Sequence, residues 1–254
     1  MIRMEYYIRR EPSLDFKGFH TLWQTRFKAA AKNLGETLSC SKMLAVLGGP
    51  QPLNEPMNLA RGGDMEAPYD LVLELWWETE DDMLAAFAGA NALETLRDWV
   101  KTGSGWIDAK ASPAWLAMEF PQVNPSPEDV VAVEGSPFKK IQFPLRHRAD
   151  WSEVDVRQYW LQNHGPIIRR HAPQSGIVRY LQVHRLNHSL NESLQSALGF
   201  TVPVYLGHAE VWSGASAASP EERRVASQAA VDDESKFIDF PASTLFVGVE
   251  EPLL

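Results

Sequence analysis

The feature that most constrains this 254-residue chain is that it repeats itself. A shift of 137 positions lays residues 4–47 on residues 141–184 without a gap. Met4-Glu-Tyr-Tyr-Ile-Arg-Arg10 falls on Ile141-Gln-Phe-Pro-Leu-Arg-His147, and both alternate as strands do. Trp23 falls on Trp160 within a helical stretch, and Lys42–Leu47 falls on Arg179–His184, a second strand. With the shift reduced to 136, Tyr69, Glu74 and Trp76 meet Tyr205, Glu210 and Trp212; at 131, Trp106-Ile-Asp108 meets Phe237-Ile-Asp239. Small insertions explain the drift.

Each copy therefore reads strand, long helix, strand, loop, strand, helix, strand, which is a ferredoxin-like order. In the second copy, strands are expected near 138–147, 177–186, 204–212 and 243–250, and helices near 153–172 and 219–235. Ser152 with Asp155 suits the start of one helix, and Ser219-Pro220-Glu221-Glu222 the start of the other. In the first copy, helices are expected near 14–34 and 79–100, the second opening on Thr79. The reading is an α+β chain of two tandem βαββαβ units: residues 1–120, a proline-marked linker over 121–137, and residues 138–254. Such a unit covers one sheet face with helices and leaves the other apolar face open. Two sheets stacked face to face, an intramolecular dimeric barrel with helices outside, would bury both. Loops near 50–67 and 187–203 are long enough to serve as lids over a site.

The segment Tyr159-Trp160-Leu-Gln-Asn-His164-Gly165-Pro166, followed by Val178-Arg-Tyr180-Leu-Gln182-Val-His184 and by Phe237-Ile-Asp239, resembles the EthD family of the dimeric α+β barrel class. The first half shares the pattern only: Trp23-Gln-Thr-Arg-Phe27-Lys28-Ala29 stands where the second half has WxxxHGP. The resemblance implies a barrel whose relatives include cofactor-independent isomerases, cyclases, dehydratases and oxygenases, besides haem-binding members. Fold resemblance does not choose among them.

The residues narrow the choice. Phe19, Trp23, Phe27, Ala30 and Leu34 form an apolar stripe on the first-half helix, whereas the second-half stripe is Trp160, His164, Ile167, Ile168 and His171. His164 thus replaces Phe27 at a position that ought to be buried. Burying an unpartnered imidazole costs on the order of 1–3 kcal/mol, so a hydrogen bond, a ligand or a cavity is expected there. Pro166 cannot donate to the carbonyl of Gln162 and is expected to break the helix after His164. On the second strand Tyr180, Gln182 and His184 stand where the first half has Met43, Ala45 and Leu47; on the third, His208 shares a face with Glu210 and Trp212 and replaces Val72. A histidine titrating near its ordinary value of about 6.5 serves as general base and acid at neutral pH. His164 is therefore expected to be the catalytic group, with His184 and His208 as further candidates. Tyr159, Trp160, Tyr180, Gln182, Glu210 and Asp239 are expected to contact substrate. Asp239 is matched by Asp108, which favours a turn-orienting role. A core histidine satisfied by a carbonyl remains the structural alternative for His164. One cavity is expected, in the second half, with the first-half space filled by Phe27 and Leu47.

A net charge of -9 and the absence of Lys/Arg clusters argue against nucleic acid as partner. No apolar run is long enough for a membrane span, and one cysteine, Cys40, fits a reducing cytoplasm. The sequence lacks GxGxxG, P-loop, HExxH and GxSxG patterns, and His164 with His184 or His208 lacks an evident third metal ligand. No cofactor and no metal are expected. The function expected is acid/base chemistry of the isomerase, cyclase or dehydratase type on a small cyclic or aromatic oxygenated substrate. A haem-binding or oxygen-using barrel and a non-catalytic binding barrel are the alternatives, and homo-oligomerisation stays open.

Overall fold

Eight stretches become strands, their successive side chains pointing to opposite faces: β1 (Ile2–Ile8), β2 (Lys42–Leu47), β3 (Leu71–Trp77), β4 (Ala114–Val123), β5 (Lys139–Leu145), β6 (Ile177–Arg185), β7 (Gly207–Ser213) and β8 (Phe246–Pro252). A computed structural model describes residues 1–89, 91–125 and 131–254. In it the strands pair antiparallel throughout and close into one barrel in the order β1-β3-β2-β8-β5-β7-β6-β4, with β4 returning to β1. This corrects the expected stack of two tandem ferredoxin-like sheets. The edges that would have ended two separate sheets hydrogen-bond to each other instead. β2 pairs with β8 from Leu44↔Pro252 to Leu47↔Val249, and β4 pairs with β6 from Ala117↔Arg185 to Val123↔Tyr180. Closure removes every sheet edge, so no second layer is required to cover one. β4 also runs through Val123, into the segment expected to be linker, and residues 126–130 of that segment lie outside the described residues.

The inner face is not apolar, which is the second correction. One part of the lumen is aromatic: Tyr7 stacks on Trp115 at 4.9 Å, with Tyr69 and Tyr205 beside them. The rest is ionic. Lys140 Nζ lies 2.7 Å from Glu74 Oε1 and 3.1 Å from Glu250 Oε1, and Arg3 Nη2 donates to Glu210 Oε1 at 2.7 Å. Arg3 also bonds Glu5 and Glu119. Burial and the facing Glu210 push the Glu74 carboxyl well above its ordinary range, while Arg3, Lys140 and His208, against the cost of burial, hold Glu210 well below.

The helices lie outside. In the first half, α1 (Phe16–Leu22) and α2 (Lys28–Thr37) are joined by a π-helical turn over Trp23–Phe27; in the second, α6 (Glu153–Tyr159) and α7 (Gly165–Ser175) are joined by one over Trp160–His164. Both π turns occupy the same place in the repeat, and the first contains no proline. Pro166 is therefore not what breaks the second helix; the π turn is. The expected helix near 79–100 is two, α4 (Glu80–Ala88) and α5 (Ala92–Thr102), whereas its counterpart α9 (Pro220–Glu234) is continuous. The two long loops each carry a helix, α3 (Asn54–Leu59) and α8 (Leu190–Leu198), and each crosses to the opposite half. Leu194, Ala197 and Leu198 of α8 join the first-half core, while Met57 of α3 packs on the second-half core. Among the described residues no helix is long and apolar enough to cross a membrane.

Candidate functional site

Between the outer face of β5, β6 and β7 and the layer formed by α7, the π turn and α9 lies a cavity of about 330 Å³. Its walls are mostly apolar: Phe143 and Leu145 from β5, Ala209 and Val211 from β7, Ile168 from α7 and Leu245 before β8. Polar residues reach it at several points, as in small-molecule sites generally. They include His164, Tyr180, Arg61 and Glu234.

The π turn delivers His164. The extra residue in that turn sends Gly165 N–H to Trp160 O and rotates the ring inward, where the residue is 4% exposed. Gly165 lets Gln122 approach the helix closely, since a Cβ there would meet Gln122 Oε1 at 2.3 Å and push that side chain aside. His164 Nδ1 lies 2.9 Å from Asp233 Oδ2, on the last turn of α9. Asp233 Oδ1 accepts from the Tyr159 hydroxyl at 2.7 Å and from Lys236 Nζ at 2.9 Å. Burial opposes ionisation of Asp233, but the hydrogen bonds from His164, Lys236 and Tyr159 prevail and hold it well below the usual carboxylate range. An ionised carboxylate only accepts, so Nδ1 of His164 carries hydrogen and neutral His164 has its lone pair on Nε2. Among the described residues Nε2 makes no hydrogen bond. The structure thus orients a basic nitrogen in an apolar cavity.

Arg61, from the chain following α3, closes one side. Its Nε donates to Glu234 Oε2 at 2.8 Å, its Nη1 to Met57 O at 3.1 Å, and its guanidinium stands 5.1 Å from the Phe143 ring. The first-half loop near 50–67 therefore reaches the second-half cavity.

Of the residues singled out from the sequence, His164, Trp160 and Tyr180 line the cavity together. Tyr159 stands behind them as a partner of Asp233. Gln182 and His184 face the same helix but sit behind Trp160: Gln182 Nε2 donates to Trp160 O at 2.7 Å, and the His184 ring stacks on the indole at 4.4 Å. Burial, then Arg157 and His208, pull His184 down to about 3, so it is neutral near pH 7 and suits packing better than proton transfer. His208 and Glu210 are on the other side of the sheet. Ala209, Val211 and Ser213 of β7 face the cavity, so the alternate residues point into the barrel, where His208 Nε2 meets Glu210 Oε1 at 3.1 Å. Asp239 lies in a turn after α9, its N–H bonded to Arg146 O and its carbonyl accepting from Ser243, as Asp108 N–H bonds Arg9 O in the first half. Asp239 does not line the cavity.

Glu5, His208 and Glu210 bring three ligand-type atoms within 4.8 Å of one another, the only such group among the described residues. Its chemistry does not suit a dication, because Arg3 bonds both carboxylates and Lys140 Nζ stands 3.2 Å from Glu210 Oε1.

Sequence reasoning did not single out Asp233, Glu234 or Arg61. One signal was available: Asp232-Asp233-Glu234 puts three acids in the last turn of a helix, where the dipole disfavours them. Two of the three are buried.

No curated protein matches the chain. Residues 148–241 match the family model described as EthD domain, a span holding α6, the π turn, α7, β6, α8, β7 and α9. His164, Asp233, Tyr180 and Glu234 all fall inside it, so the part of the chain that holds the cavity is the part that is similar to an EthD domain.

Proposed function

We propose that the protein is an enzyme of acid/base chemistry, acting without a cofactor on a small oxygenated cyclic or aromatic compound, with His164 as the group that moves the proton. The observation that carries this reading is the Asp233–His164 pair set in a cavity of about 330 Å³ with apolar walls. Asp233 holds the imidazole in one tautomer and stabilises the imidazolium formed when Nε2 takes a proton. The mostly apolar walls suit a flat or cyclic carbon skeleton, and the volume lies near the lower end of the roughly 300–1,000 Å³ usual for ligand pockets. Isomerisation, cyclisation and dehydration all begin with such a transfer and need no redox partner. On the same reading, residues 1–120 form the unit that carries no site and residues 138–254 the unit that keeps one, joined through 121–137. A haem ligand or a purely binding role has nothing in its favour beyond the cavity itself.

The test is deuterium incorporation. Lactones and cyclic enones are incubated in D₂O with the protein, and uptake at carbon is followed by NMR. The wild-type chain is expected to label at least one of them, and His164→Gln to lower that rate by roughly 10²–10⁴-fold. Equal labelling by both proteins would refute the role of His164.

A further inference from the structure

Hydrogen-bond polarity around Tyr180 assigns one more group in the cavity. Gln182 Nε2 lies 2.7 Å from Trp160 O; a carbonyl only accepts, so this atom is the amide nitrogen. The same nitrogen is 3.2 Å from the Tyr180 hydroxyl and donates its second hydrogen there. Trp160 Nε1, which can only donate, reaches that hydroxyl at 3.1 Å. Gln182 Oε1 is then an acceptor, and it takes the Nε2 hydrogen of His184 at 3.2 Å. Two donors, Trp160 Nε1 and Gln182 Nε2, point toward the phenol oxygen, which therefore accepts twice. Its own hydrogen has no acceptor among the described residues. Burial pushes Tyr180 far above its ordinary range, so that hydrogen stays on. Trp160 and Tyr180 line the cavity, whereas Gln182 and His184 lie behind them and do not.

We infer that the Tyr180 hydroxyl donates to a carbonyl oxygen of the bound molecule, and that the cavity therefore takes carbonyl compounds with an ionisable C–H beside the carbonyl. This rests on the reading of His164 as the proton-transfer group. His164 Nε2 removes the proton from that carbon; the C–H electron pair forms a C=C bond, and the carbonyl π pair moves to oxygen. The enolate oxygen accepts from Tyr180, whose two incoming hydrogen bonds polarise its O–H. The imidazolium then returns the proton, either to another carbon of the conjugated system or to a leaving oxygen expelled as the enolate collapses. Protons and electrons balance without an oxidant. Gln182 and His184 are positioning residues that hold Tyr180 as donor rather than acceptor.

The test uses p-nitrophenolate as an enolate-like anion and toluene as a match lacking oxygen, each titrated into wild type, Tyr180→Phe and His164→Gln. Tyr180→Phe is expected to weaken p-nitrophenolate by about 10- to 100-fold and to leave toluene within about 2-fold. Unchanged p-nitrophenolate binding in Tyr180→Phe, with a change in His164→Gln, overturns the assignment to Tyr180 and leaves the reading of His164 standing. Failure of both ligands to bind wild type overturns both. If Tyr180→Phe does not fold, fluorotyrosine placed at position 180 gives the answer. Its fluorine resonance is expected to move with p-nitrophenolate and not with toluene, and a resonance that moves with neither refutes the inference.

Discussion

The two halves of this molecule lay a π-turned helix on the same kind of strand surface and arrive at opposite results. In the first half, Phe27 stacks on Trp106 at 4.1 Å, Trp106 stacks on Phe19 at 4.6 Å, and Trp99 meets Phe27 edge-on at 6.3 Å. Leu47 belongs to the same core, and α8 arrives from the other half with Leu194 and Leu198. The rings fill the space that the second half leaves open beside His164. In the second half, His164 takes the place of Phe27 and is held by Asp233, and α3 and the chain after it bring Met57 and Arg61, which line a cavity instead of filling it. The scaffold creates a slot between helix and sheet twice, and side-chain volume decides whether the slot is core or cavity.

Stability breaks the comparison most sharply. Phe27→Ala should cost about 3–5 kcal/mol in denaturant unfolding, because it removes the centre of a closed aromatic stack. His164→Ala should cost less, since one wall of its site is already empty. An equal cost for the two would mean that the second-half space is as tightly packed as the first.

Acid sharpens it next. His184 stands where the first half has Leu47, and only His184 can take up a proton. Its folded-state value of about 3 lies below the ordinary 6.5, chiefly through burial. On acidification the unfolded chain binds that proton first. The stabilisation is therefore full above about pH 6.5 and drains as pH falls toward 3, with a slope of up to about 1.4 kcal/mol per pH unit. His184→Gln should flatten the stability profile across that window, and an unchanged profile would contradict the depressed value.

Filling the cavity is the smallest effect. Ala209→Leu places a larger side chain in the space facing α7 and should raise stability by about 0.5–2 kcal/mol while blocking small aromatic ligands. A loss of stability would show that the space has no room to give.

Much of this was legible in the repeat. Strand and helix order, the His164-for-Phe27 exchange and the filled first-half counterpart all follow from aligning Trp23 with Trp160 and reading the stripes. What could not be read is long-range. Closure of β2 on β8 and β4 on β6 depends on pairing between edges that local periodicity does not encode. The ferredoxin-like reading of each copy implies an apolar inward face, yet Arg3, Glu74 and Lys140 point inward and pair with one another across the lumen. For the same reason His208 and Glu210 were grouped with His164, although alternation along β7 puts them on the opposite face. Asp233 is distant in sequence from His164 and could be found only as a misplaced acid at a helix C-terminus.

The central claim is that His164 is held for chemistry and Phe27 for packing. The direct test is thermal midpoint and turnover measured on the same His164→Ala protein, with a substrate identified by deuterium labelling. The account predicts a midpoint within a few degrees of wild type and turnover lowered by roughly 10²–10⁴-fold. A clearly destabilised His164→Ala protein that turns over at the wild-type rate would contradict it.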